Sequence, residues 1–192
     1  AVLGAMQEAK KKGVQISLDL NYRKKLWKYG KSASDVMRTL AGAADVLIAN
    51  EEDVQSCLGI PLKNFGTPTE CYRHLCADVL TQFPNARLAA VTLRQSYSAD
   101  RNGWSAILAT RSAFYESVHY DIENIVERVG AGDSFAAGLI HGLSEFKNEQ
   151  KALDFAAAAS CLKHSVAGDF NIVTKAEIEN LMNGSTNGRI QR

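Results

Sequence analysis

The stretch VGAGDSFAAG, residues 129–138, places small residues at the mouth of a helix and an acid just inside it. Gly130 and Gly132 permit sharp backbone turns and the close approach of a ligand. The first N–H groups of a helix lack internal partners, and the helix dipole makes the spot they point to favour negative charge. Asp133 falls beside that spot. A carboxylate there can take a proton from a hydroxyl while the N–H groups hold the charge that develops on a transferring phosphoryl group. The plainer reading of Asp133 is an acid that merely complements the dipole. The apolar residues of 135–143 recur at helical spacing and anchor the mouth on a buried element.

Working outward, residues 14–20 alternate and then turn apolar, predicting a strand that ends at Asp19. Short apolar runs at 45–49 and 88–93 predict buried parallel strands. Between and before them, helical spacing covers 1–12, stopped by Gly13, and 32–43, with Ser32 or Ser34 as N-cap. It also covers 51–58, stopped by Gly59 and Pro61, and 69–82, with Thr69 as N-cap. Residues 104–110 and 113–120 flank a short turn and predict a hairpin. Helices follow over 131–146, 149–164 and 174–182, and the Gly- and Asn-rich tail 183–192 is expected to be loosely ordered. Strands alternating with helices predict an α/β fold with a mostly parallel sheet, whose ligands bind beyond the carboxyl ends of the strands. Asp19, Asn50 and Leu93 fall at such ends and Val129 precedes the helix mouth, so four segments are expected on one rim.

At 192 residues with 46% hydrophobic and 22% charged residues, the chain has the composition of one ordinary globular domain. A net charge of +1 points to neither a nucleic-acid partner nor a membrane surface. No apolar stretch approaches the roughly 20 residues that span a bilayer. Cys57, Cys71, Cys76 and Cys161 lack Cys-x-x-Cys spacing, which favours reduced thiols and a cytoplasmic setting. His74, His119, His141 and His164 lack the spacing of metal ligands and read as structural or surface residues. The sequence opens inside an amphipathic helix with neither initiator Met nor cap, as expected for the later portion of a larger protein.

The 129–138 stretch resembles the C-terminal motif of the PfkB (ribokinase-like) family of sugar kinases. Asp19-Leu-Asn-Tyr-Arg23 resembles the family's Asp-x-Asn-x-Arg segment, Asn50-Glu-Glu-Asp53 its Asn-x-x-Glu motif, and Val91-Thr-Leu93 the strand end before its triphosphate loop. Segments 21–27, 92–106 and 161–171 look most like 2-keto-3-deoxygluconate kinases. The resemblance covers nearly the whole chain and only the later part of a family member. It implies a three-layer αβα domain over 1–192, with the N-terminal strands and lid lying outside this chain. The chain alone is then expected to be inactive.

By the same resemblance, Asp133 is the base that deprotonates the acceptor hydroxyl, and Gly130, Ala131 and Gly132 form the anion hole. Ala131 stands where many relatives of the subgroup have glycine. Arg23 offers a planar fork to a sugar carboxylate, with Asn21 beside it. Lys24 stands where relatives often have proline. Asn50 and Asp53, with Glu52 as a substitute acid, would manage magnesium and phosphate through water, or else cap and complement the helix they begin. Thr92 and Arg94 fall where the family contacts the nucleotide, Arg94 replacing a glycine of a Gly-x-x-Gly loop, and Asn171 falls in the segment that walls the adenine. Glu127 and Arg128 replace an Asp-Thr pair often tied to a monovalent-cation site. The implied reaction is transfer of the γ-phosphate of MgATP to a primary hydroxyl of a keto-sugar acid. The alternatives are a fructokinase-type enzyme and a non-catalytic, partner-dependent nucleotide-binding chain. The implied partners are the small-molecule sugar acid and ATP, the missing N-terminal portion or a second copy, with no nucleic acid or membrane.

Overall fold

Apolar runs that admit no polar alternation can only be strands if both faces of the sheet are covered. That is what residues 46–49 and 88–91 become, every one of them buried. The structure is a computed structural model that describes residues 1–64 and 66–184. Its elements are α1 (Val2–Lys11), β1 (Ser17–Asp19), a 3₁₀ turn (Lys24–Leu26), α2 (Ala33–Ala41), β2 (Val46–Asn50), α3 (Glu51–Leu58) and α4 (Pro68–Gln82). They continue with β3 (Leu88–Ser96), β4 (Asn102–Thr110), β5 (Phe114–Glu116), β6 (Tyr120–Ile122), α5 (Ala131–Glu145), α6 (Glu149–Lys163) and α7 (Lys175–Met182). Strand order is β1-β2-β3-β4-β5, with β6 pairing β4. β1, β2 and β3 are parallel, in a register that sets Asp19 opposite Ile48 and Asn50 opposite Thr92. β6 is antiparallel to β4. This is the expected α/β fold, with a mixed sheet.

Four of the departures from the sequence reading have a visible physical cause. β1 is shorter than 14–20 because the Asp45 carboxylate takes the Ile16 N–H at 2.7 Å. β3 runs on past Leu93 to Ser96, closing through Tyr97 N–H to Arg101 O. The second hairpin arm breaks into β5 and β6 at Ser117, whose Oγ accepts the Ala106 N–H at 2.9 Å in place of a ladder carbonyl. α4 is capped by Thr67, not Thr69. Pro68 takes the first helical position, where a missing N–H costs nothing, and Thr67 and Glu70 form a reciprocal capping box. Ser32 caps α2, as one of its two predicted candidates. Of the tail 183–192, all beyond Gly184 lies outside the described residues.

The chain divides into two compact units. One comprises Ala1–Leu93 with Ile107–Tyr115; the other takes Arg94–Ala106 and the chain from Glu116 onward. In the first, Leu47 and Ala49 of β2, Ala89 and Val91 of β3 and Ile107 of β4 pack with Met6, Ala41, Val54, Leu58, Leu75 and Val79 from the helices. Each fully buried Leu or Val contributes about 1.5–3 kcal/mol. In the second, α5 and α6 approach closely because glycines face alanines. A Cβ on Gly138 would lie 2.9 Å from Ala156 Cα, and one on Gly142 2.7 Å from Ala152 Cα. α7 closes this unit, with Ile178 against Phe155, Ala158 and Ala159. None of the four cysteines is in a disulfide, and burial pushes Cys76 and Cys161 up to about 12.

Candidate active site

The first unit gathers the predicted residues Asn21, Arg23, Asn50 and Asp53 at the carboxyl ends of β1 and β2, with Thr92 inside β3 opposite Asn50. β1 ends at Asp19, whose Oδ1 accepts the Asn21 N–H at 3.1 Å and turns the chain. Asn21 sits at φ 39°, a conformation its short polar side chain tolerates. The turn brings the Tyr22 N–H to Asp53 Oδ2 at 3.2 Å. Asn50 at the end of β2 caps α3, its Oδ1 accepting the Asp53 N–H at 2.8 Å. Thr92, its partner across the ladder, donates from Oγ1 to Ala49 O at 3.5 Å.

Asp53 is 6% exposed. Burial raises its pKa above the usual carboxylate range, and the Tyr22 N–H and the Arg23 charge oppose that rise. Arg23 donates to Tyr22 O at 3.2 Å and its side chain lies exposed, as do Asn50 and Glu52. Glu51 is engaged, accepting the Tyr72 hydroxyl at 2.6 Å. The rim therefore offers one buried acid, an exposed amide and an exposed guanidinium, a set suited to a hydrated cation and a carboxylate ligand. The capping role of Asn50 is realised, and its exposed side leaves room for a ligand.

The second unit holds the helix mouth. Gly130 caps α5 at φ 81°, and a Cβ there would overlap the Asp169 carbonyl. The first intrahelical bond is Ser134 N–H to Gly130 O at 2.8 Å. The N–H groups of Gly132 and Asp133 precede it and so have no acceptor inside the helix. Gly130 has no side chain to spend on them, and Gly132 and Asp133 are exposed. Ala131 is helical and absent from the residues with positive φ, so it replaces a glycine without strain. Its carbonyl accepts the Ser160 hydroxyl at 2.7 Å, while Ser134 Oγ donates to Ala159 O at 3.0 Å. These two bonds rivet the mouth to α6.

Asn171 lies where its Nδ2 donates to Ser134 Oγ at 2.6 Å and to Ala159 O at 3.1 Å. It lines a cavity of about 280 Å³ with Ala137, Gly138, His141, Phe155 and Ile178. Arg94 is an exposed residue inside β3, not in a loop after it, because the ladder continues and no glycine breaks it. Glu127 turns its carboxylate to the backbone, Oε1 accepting the Arg128 N–H at 2.7 Å and the Val129 N–H at 2.9 Å. Those bonds hold it below the usual carboxylate range. Arg128 reaches Ser98 O and Ala99 O at 2.9 and 2.6 Å. His164 is buried, edge-on to Trp104, with Nδ1 2.8 Å from Ser160 O; burial lowers its pKa. Among the described residues no three His, Cys, Asp or Glu group as a metal site, and no helix is long and apolar enough to cross a membrane.

With that geometry in place, comparison with known proteins is decisive. The sequence pattern described as "pfkB family carbohydrate kinase" matches residues 1–175. The chain belongs to this family. The crystal structure of 2-dehydro-3-deoxygluconokinase from Thermotoga maritima superposes with a TM-score of 0.87 at 43% identity, over 95% of this chain and 54% of that one. The 2-dehydro-3-deoxygalactonokinase of Haloferax volcanii is 28% identical over 183 residues, 95% of this chain and 52% of its own. The ribokinase of Arabidopsis thaliana, at 21% identity and a TM-score of 0.65, shares the fold, covering 94% of this chain and 51% of its own. The fold of this PfkB chain is thus ribokinase-like, and the chain spans about half the length of the curated relatives it matches.

Sequence reasoning missed Tyr22, whose backbone holds Asp53, and Lys163, which is fully buried. The first carries no side-chain signal. The second had one: Ala156, Ser160 and Lys163 recur at helical spacing on the buried stripe of α6.

Proposed function

We propose that the full-length protein is an ATP-dependent carbohydrate kinase that phosphorylates a primary hydroxyl of a 2-keto-3-deoxy sugar acid. The observation that carries this reading is the mouth of α5. Amides without internal acceptors and an exposed acid on the same first turn suit a site where negative charge develops and a hydroxyl proton leaves.

In the proposed reaction the acceptor oxygen forms a bond to the γ-phosphorus as the bond to the ADP oxygen breaks. Asp133 takes the hydroxyl proton, and the N–H groups of Gly132 and Asp133 steady the phosphoryl oxygens. Magnesium would supply charge neutralisation between the phosphates, and Asn50, Glu52 and Asp53 would hold its waters. Asp53 suits this role: a cation nearby would favour its ionised form, which burial disfavours. Arg23 would read the sugar carboxylate, with Asn21 shaping its loop. Thr92, Arg94 and Asn171 are assigned to the nucleotide; the cavity beside Asn171, apolar along Phe155 and Ile178, suits a flat heterocycle. Support for a keto-sugar acid comes from the likeness to the Thermotoga maritima 2-dehydro-3-deoxygluconokinase. Cysteines held outside any disulfide favour a cytoplasmic setting.

The test is ADP release by the full-length protein with 2-keto-3-deoxygluconate, its galacto epimer, fructose and ribose. The reading expects the two acids to surpass the neutral sugars in kcat/KM. Preference for fructose would replace it with the fructokinase reading.

A further inference from the structure

Lys163 is a charged side chain that the proposed chemistry leaves unused. It ends α6, is fully buried, and donates from Nζ to Gly168 O at 2.7 Å and Val166 O at 3.1 Å. An ammonium has three donors and no acceptor, so its burial is costly unless acceptors converge on it. Here they converge from a single turn, 166–168, whose Gly168 stands at φ 78°.

That turn leads straight to the helix mouth. Its next residue, Asp169, lies with its carbonyl against Gly130, where no Cβ fits, and a Cβ there would also sit 3.2 Å from Lys163 Cε. The turn and the lysine stem together pack on the one residue whose left-handed backbone aims the first amides of α5. On the other side, His164 O accepts the Val126 and Glu127 N–H groups at 2.9 and 3.2 Å, tying the approach to α5 to the same end of α6. Lys163 also lies near enough to Glu127 to favour that carboxylate's ionised form.

We propose that Lys163 is a positioning residue for phosphoryl transfer: its buried ammonium holds the 166–169 turn against Gly130 and so fixes the anion-binding mouth of α5. The inference rests on the reading of α5 as the phosphoryl site. A bound charge between two carbonyls has a consequence a packing residue lacks: a small external cation can replace it.

The experiment uses the full-length protein with Lys163→Met, which keeps the stem, and Lys163→Ala, which opens a space. Turnover, KM and amide hydrogen exchange are measured on both, and turnover and exchange also on Asp133→Asn. Lys163→Met is expected to lose between about 10- and 10²-fold in kcat, the scale of a misplaced reacting group, with sugar KM little changed. Amides of 130–133 and 166–169 should exchange faster in both variants. Ammonium or methylammonium should restore part of the turnover of Lys163→Ala, and tetramethylammonium should not. Parent-like kcat and exchange in Lys163→Met would overturn the proposal. So would a loss equal to the unfolded fraction with no rescue by ammonium. If Lys163→Met does not fold, the cation rescue of Lys163→Ala decides. Unchanged turnover in Asp133→Asn would sink the phosphoryl reading instead, and the exchange data would still report whether Lys163 holds the mouth.

Discussion

Replacing Gly130 by alanine, beside the same change at Gly132, separates the shape of the helix mouth from its chemistry. Gly130 stands at φ 81°, where a Cβ costs about 1–2 kcal/mol. The added methyl would also overlap the Asp169 backbone, which is not a flexible tip that can swing aside. Forced repacking of that kind costs typically about 1–3 kcal/mol. The sum is about 2–5 kcal/mol, a large share of the roughly 5–15 kcal/mol that holds a protein folded. With a urea dependence of about 1–3 kcal/mol per molar, the unfolding midpoint should fall by on the order of 1–2 M. At Gly132 a Cβ meets nothing within 4 Å, and φ is not positive. Alanine there should leave stability unchanged or raise it by about 0.4–1 kcal/mol, through the lost freedom of the unfolded chain. It should nonetheless lower turnover, because in the proposed reaction the methyl would stand where phosphate oxygens approach the backbone. Urea unfolding and steady-state kinetics on both variants check the pair. A Gly130→Ala midpoint indistinguishable from the parent would refute the packing of Asp169 on the cap. Full turnover in Gly132→Ala would refute the close approach of a ligand.

Arg23→Ala should weaken a sugar acid more than its neutral analogue, by roughly tenfold or more, since a charge-assisted hydrogen bond is worth about 1.5–3 kcal/mol. Equal losses in kcat/KM for the two would remove Arg23 from carboxylate recognition. Burial raises the pKa of Asp53 in the folded state above its unfolded value. The folded protein then binds more protons between the two values, and this carboxyl's contribution to stability falls as pH rises through that window. Asp53→Asn should flatten that dependence, raise stability at neutral pH and weaken MgATP binding. Urea titrations at several pH values would expose the error if the variant were less stable at neutral pH.

The parallel strands were legible because apolar runs at 46–49 and 88–91 allow no half-exposed alternative, and the helix mouth because its glycines and acid have few other uses together. Strand ends were less so. Ser117 and Asp45 spend side-chain oxygens on backbone N–H groups, and nothing in a strand's own apolar pattern announces that competition. The cap of α4 lies two residues before Thr69: Thr69 and Thr67 look alike until Pro68 is given its place at the first helical position. At the rim, the side chains were visible as types in order, and the turn at Asn21 that lays Tyr22 on Asp53 was not. Lys163 reads as a helix-terminal lysine, yet the turn beyond α6 doubles back and buries it.

The most direct test of the central claim is the turnover of Asp133→Asn in the full-length protein, with MgATP and 2-keto-3-deoxygluconate. Asparagine keeps the shape of the mouth and removes the carboxylate proposed as the base. General-base catalysis contributes typically about 10²–10⁴-fold, so kcat should fall on that order while ATP affinity, measured by calorimetry, stays near the parent value. Turnover within a factor of about two of the parent would contradict the account, since Asp133 would then take no part in moving the hydroxyl proton.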